Sequence, residues 1–132
     1  MENKAEYSIG KKRWAIAEGY IPAKSHYADP NDKHDMTSHE AICILNASFR
    51  DANVELMIYF TDRDPVGPYR FHIKARRSFH IRLNDLTTPE IIPKDTEFSS
   101  VIESDVPIVV QHSRLDSRQA ENALMTTIAY SE

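Results

Sequence analysis

The chain has 132 residues and a mass of 15.2 kDa, with 16 Lys+Arg against 20 Asp+Glu. This size suits a single domain over residues 1–132 with one core, and residues 1–10 read as a flexible extension. A composition that is 41% hydrophobic and 27% charged excludes global disorder, and a formal charge of −4 gives no global drive toward nucleic acid or anionic lipid.

Thirteen Ile and six Val against six Leu favour pleated strands. Trp14 to Glu18 is the first expected strand, with Trp14 and Glu18 on one face among Ala15, Ala17 and Gly19. A carboxylate there needs a partner if it is buried. The pair reads either as a pocket, with a stacking Trp and a hydroxyl-accepting Glu, or as a core Trp and an Arg-bound Glu. Tyr20 to Thr37 is polar and aperiodic, hence a long loop.

His39 to Asn46 is the second strand. Ile42 to Leu45 is apolar on both faces, which argues for a central position. His34, His39 and Glu40 lack a zinc-like spacing, and no metal site is expected. Cys43, the single cysteine, excludes an internal disulfide; between Ile42 and Ile44 it reads as an inert buried thiol.

Three runs then alternate with period two: Val54 to Phe60, Tyr69 to Lys74 and Phe79 to Asn84. Asp64 to Pro68 reads as a turn and Lys74 to Arg77 as a hairpin link. If the hairpin forms, Arg70, His72, Lys74, His80 and Arg82 make a basic stripe. That stripe is either an anion-binding surface or a solvated face neutralised by the acidic Leu83 to Asp105 segment. Thr96 to Ile102 and Val106 to His112 are two further strands separated by a turn at Asp105-Val-Pro107. His112, Arg114, Asp116 and Arg118 continue the parity of Val106, Ile108 and Val110, so a core strand runs out into a charged face. This is either a binding site or a salt-bridge network. Ser117 to Leu124 is compatible with one helical turn before a last strand, Ala123 to Tyr130.

About eight strands at near-regular spacing indicate an all-β, antiparallel sandwich. Leu56, Ile58, Phe71, Ile81, Ile108 and Val110 are its expected core. No nucleophile elbow, H-E-x-x-H or glycine-rich phosphate loop is present, so no catalytic residue and no cofactor is expected. The apolar runs are far shorter than the ~20 residues of a spanning helix. Met1-Glu-Asn-Lys4 lacks the apolar segment of a signal peptide, so a cytoplasmic protein without membrane insertion is expected.

Longer motifs recur in order: Trp14-Ala-Ile-Ala-Glu-Gly-Tyr-Ile-Pro22, Ser38-His-Glu-Ala-Ile-Cys-Ile-Leu-Asn-Ala47, Pro65-Val-Gly-Pro-Tyr-Arg70, Ala75-Arg-Arg77, Asn84-Asp-Leu86, Ser100-Val-Ile-Glu-Ser104 and Pro107 through Ala123. With them the chain closely resembles the sensory rhodopsin transducer family, from about residue 10 to 130. The resemblance implies a cytoplasmic jelly-roll-like sandwich that assembles as a homotetramer and works in signal transduction without enzymatic activity. It also implies a carbohydrate-like small molecule as ligand, and the cytoplasmic face of a sensory rhodopsin as partner. The residues carried over from the matching motifs are Trp14, Glu18, His39, Asn46, Arg70, Arg77, His112, Arg114, Asp116 and Arg118; the resemblance implies a shared role for them, in ligand binding or in assembly, and all but Arg70 form the expected ligand-binding set. The N-terminal extension and the long Ala23 to Thr37 loop, with His26, Tyr27 and His34, depart from the family pattern.

Two alternatives stand beside ligand sensing. One is a protein–protein adaptor whose acidic Leu83 to Asp105 segment meets a Lys/Arg-rich cytoplasmic face. The other is DNA contact through the Arg70 to Arg82 stripe, against which the pI of about 5.8 counts.

Overall fold

The computed structural model describes residues 9–25, 37–119, 121 and 123–132. Most of the 1–10 extension and His26, Tyr27 and His34 of the long loop lie outside the described residues. Eight strands account for nearly all regular structure: β1 (Lys11–Tyr20), β2 (His39–Asn46), β3 (Ala52–Phe60), β4 (Val66–Ile73), β5 (Arg77–Arg82), β6 (Glu97–Asp116), β7 (Ala123–Ile128) and β8 (Tyr130–Ser131). All pairings are antiparallel. The helical content among the described residues is one 3-10 turn, Leu83–Asp85. No helix among them is long and apolar enough to cross a membrane.

β6 organises the fold. Sequence punctuation divides this stretch into two strands, yet it forms one strand of 20 residues. Up to Ser104 it pairs with β1 and β3, and with β1 once more at Ile108; from Val109 it pairs with β2 and β7. The turn-like Asp105-Val-Pro107 is therefore a corner where the strand passes from one sheet to the other. Pro107, which has no N–H to give a ladder, sits between the two sets of partners. The first sheet runs β4-β3-β6-β1-β8 and the second β5-β2-β6-β7. Both contribute to one core built from alternating residues, among them Val54, Leu56 and Ile58 of β3, Ile42 and Ile44 of β2, and Ile102, Ile108 and Val110 of β6. β2 and β6 are both central, in keeping with the runs Ile42 to Leu45 and Val106 to Val110, apolar on both faces.

Three expectations need correction. β4 and β5 do not pair: β4 lies beside β3, β5 beside β2, and the Lys74 to Arg77 link crosses between sheets. No continuous basic stripe forms, and Arg70 pairs with Glu55 at 3.2 Å while His72 meets Asp51 at 2.9 Å. Phe71 and Ile81 are only partly buried, because each sits on an edge strand; Phe71 packs on Phe79 across the link, ring centroids 5.5 Å apart. Finally, the described residues between Ser117 and Leu124 are not helical. Residues 118 and 119 bend, and β7 begins at Ala123.

A buried carboxylate fixes a polar cleft

Glu40 is the second residue of β2 and shares the inward parity of Ile42 and Ile44. It is fully buried, so its carboxylate must be satisfied from within. Three donors do this. The Tyr20 backbone N–H donates to Oε1 at 2.8 Å and Arg114 Nε donates to the same oxygen at 2.6 Å. His112 Nε2 hydrogen-bonds to Oε2. Arg114 is the ladder partner of Glu40 on β6, and His112 lies two residues along that strand on the same face. The backbone is anchored too: the Glu40 N–H donates to Asn84 Oδ1 at 3.2 Å, and Asn84 Nδ2 donates to the Ser38 carbonyl at 3.0 Å.

Binding through Nε commits one edge of the Arg114 guanidinium to Glu40 and leaves its terminal nitrogens toward Glu18. Nη2 lies 3.4 Å from the Glu18 carbonyl, and Nη1 is 3.8 Å from the Glu18 carboxylate, a loose contact to a side chain that is 83% exposed. These groups border a cleft of about 280 Å³, at the small end of the ~300–1,000 Å³ common for ligand sites. Glu18, His112, Arg114, Met125, Thr127 and Tyr130 line it with Ala15 to Ala17 and Ile128. His112 is 3% exposed; among the described residues nothing hydrogen-bonds its Nδ1. The cleft thus offers guanidinium donors, a carboxylate acceptor, an imidazole, a threonine hydroxyl and one exposed tyrosine ring.

Of the residues singled out in the sequence, this site brings together Glu18, His112 and Arg114. Trp14 and Glu18 do not share a face. A register shift between Ile16 and Gly19 turns Glu18 outward while Trp14 stays in the core. The Trp14 indole N–H donates to the Lys11 carbonyl at 2.9 Å, and the ring borders a neighbouring cleft of about 210 Å³ with Arg13, Val101 and Tyr130. His39 has the parity opposite to Glu40, and its Nδ1 contacts the Thr37 carbonyl at 2.9 Å. Asn46 and Arg77 are ladder partners at the far end of β2. There Asn46 is buried and donates to the carbonyls of Arg50, Ile73 and Lys74, which is loop scaffolding.

Asp116 and Arg118 form their own two-pronged pair at 2.6–3.1 Å beyond Arg114. The Arg118 hydrogen bonds hold the Asp116 carboxyl below the usual aspartate range. Arg118 also lies 5.8 Å over the Tyr20 ring. No group of three His, Cys, Asp or Glu side chains among the described residues is disposed to hold a metal ion.

Glu40, Thr127 and Tyr130 are the site residues that sequence reasoning missed. Glu40 was legible: an acid in phase with Ile42 and Ile44 has to meet a cation in the core.

Two antiparallel sheets sharing one long strand, with a polar cleft fixed by a buried Glu–Arg–His group, define an all-β sandwich with the character of a binding or signalling domain. The family profile described as Anabaena sensory rhodopsin transducer matches residues 9–131. A solved structure, the Anabaena sensory rhodopsin transducer, is 55% identical over 80% of this chain and 97% of its own, with a TM-score of 0.67. Another, Thermotoga maritima 1070, is 36% identical over 93% of this chain and 96% of its own, with a TM-score of 0.80. No curated protein matches the chain. The chain belongs to the sensory rhodopsin transducer family.

Proposed function

We propose that this protein is a non-enzymatic cytoplasmic signalling module that senses a neutral, polyhydroxylated, carbohydrate-like molecule in the Arg114 cleft and works as a homotetramer. The observation that carries the reading is the anchoring of Arg114 by fully buried Glu40 at the base of a cleft whose open side holds the Glu18 carboxylate. A guanidinium beside a carboxylate suits a vicinal diol, since one hydroxyl can accept from Arg114 while its neighbour donates to Glu18. The Tyr130 ring, 66% exposed, supplies an apolar face for a sugar ring. Arg114 already lies between two carboxylates, so an anionic ligand gains little there and faces Glu18.

Calorimetry with a panel of neutral sugars, sugar acids and sugar phosphates tests this. Neutral sugars bind the native protein best, and Arg114→Ala abolishes binding while Arg70→Ala, on the outer sheet face, leaves it intact. If Arg70→Ala abolishes binding and a folded Arg114→Ala does not, the site lies elsewhere. If no panel member binds at millimolar concentration, the ligand reading falls and an adaptor role takes its place.

A further inference from the structure

The end of the sandwich away from Arg114, where β6 turns its corner, has a different chemistry. Two loops meet there, Ala47–Asp51 and Lys74–Arg77. Buried Asn46 clasps both through the carbonyls of Arg50 and Lys74. The Arg76 N–H donates to the Ser48 carbonyl at 3.1 Å, and the Ala75 N–H donates to Asp51 Oδ1 at 2.8 Å. The result is a preorganised platform. Phe49 stands on it 52% exposed, with the Arg76 guanidinium 4.6 Å over its ring. Arg50, Lys74, Arg76 and Arg77 are all exposed around it. Lys11 and Lys12 reach the same end, since Lys11 is the ladder partner of Ile108, and exposed Ile9 precedes them.

The acids at this end are engaged internally: Asp51 with Ala75 and His72, Asp105 with the N–H and side chain of Asn53. Asp62, Asp64 and Asp95 lie at the opposite end, in the loops after β3 and before β6. The net charge of −4 therefore conceals a cluster of cations gathered at this end.

We propose that this basic, Phe49-tipped end is a docking surface for a bilayer rich in anionic headgroups, the cations meeting phosphate and carboxylate groups while Phe49 enters the interfacial layer. An aromatic ring exposed among cations is the composition of a peripheral membrane contact. A duplex nucleic acid would use the cations but has no need of exposed Phe49 and Ile9, and the platform presents no helix or two-stranded ribbon to enter a groove. The inference is independent of the cleft. It places the end opposite to Asp62, Asp64 and Asp95 against the membrane.

Co-flotation of the full chain with phosphatidylcholine vesicles, with and without one third phosphatidylserine, tests it. Binding requires phosphatidylserine and weakens with added salt. Arg76→Gln and Arg77→Gln each lower it by roughly fivefold. Phe49→Ser weakens it and Phe49→Leu restores it, while Arg70→Gln on the sheet face has no effect. Thermal unfolding of each variant confirms a native fold. Equal binding to both vesicle types, no binding to either, or an effect of Arg70→Gln as large as that of Arg76→Gln overturns the proposal. So does vesicle binding indifferent to Phe49→Ser, accompanied by tighter, cation-dependent binding to duplex DNA.

Discussion

Glu40 and Arg114 are partners across the β2–β6 ladder, and their side chains meet at 2.6 Å with the carboxylate fully buried and the guanidinium 20% exposed. The pair joins two functions of the fold. It closes the charge of an acid inside a sandwich, and it aims the remaining guanidinium edge into the cleft. Removing Glu40 leaves Arg114, His112 and the Tyr20 N–H without their acceptor. Glu40→Ala is expected to cost about 3–5 kcal/mol in chemical denaturation. Glu40→Gln keeps the shape and loses the charge, at about 1.5–3 kcal/mol.

The strands were legible because β3, β4 and β5 alternate and because each faces solvent on one side. The sheet partners were not. Lys74 to Arg77 has the length of a hairpin link, and nothing local shows that it passes from the edge of one sheet to the edge of the other. Asp105-Val-Pro107 has turn chemistry, yet a strand that changes sheets needs the same residues as a strand that ends. Glu18 was misplaced for a similar reason: parity counting fails across a bulge. Within β6 no bulge intervenes between His112 and Arg114, so parity counting holds there. The cleft wall from β7 follows β6 across a short link, whereas that from β8 depends on long-range pairing with β1, which no window of sequence contains.

Gly19 follows Glu18 at that bulge. A Cβ at this position would lie 2.4 Å from the Phe98 ring. Phe98 is buried and opposes Gly19 in the ladder. Gly19→Ala should cost about 1–3 kcal/mol through overpacking. A shift of Glu18 relative to Arg114 should follow, visible as altered Arg side-chain resonances in NMR spectra.

Asn46 is buried at the other end of β2 with its amide N donating to three carbonyls and its oxygen accepting from the Ser48 N–H and hydroxyl. Asn46→Ala strips all of these at once, and a loss of about 2–3 kcal/mol is expected. Because Asn46 clasps the Phe49 loop to the Lys74 turn, hydrogen exchange in Ser48–Asp51 should accelerate more than exchange at the Glu40 end.

Acid should weaken this same end. The Ala75 N–H holds the Asp51 carboxyl below its ordinary value of 3.8, helped by the His72 bond. Asp105 is also lowered: burial pushes it up, but its bonds from the Asn53 N–H and side chain outweigh that. A carboxyl whose pKa is lower in the folded state stabilises it at pH above the unfolded value. That contribution is lost as pH falls through 3.8 toward the folded value. Across that window the unfolding midpoint of the Asp51→Asn, Asp105→Asn double variant should fall less steeply with acid than that of the native chain.

The last expectation concerns assembly. Among the described residues β7 pairs only with β6, and all six of its residues are exposed, with Leu124 at 74%, Met125 at 47% and Ile128 at 59%. It carries no charge and no proline, the usual guards of a free edge. Such an edge fits a closed assembly in which copies cover one another, in keeping with the proposed homotetramer. Light scattering at micromolar concentration should return four times the 15.2 kDa chain mass. Ile128→Lys, which puts a charge on that edge without touching the core, should shift the mass downward while leaving the thermal transition cooperative. A stable native monomer ends the claim. A tetramer indifferent to Ile128→Lys and Leu124→Lys places the interface on another face. Because Met125, Thr127 and Ile128 also wall the cleft, a variant that dissociates should lose sugar affinity as well, provided the ligand site is the one beside Arg114.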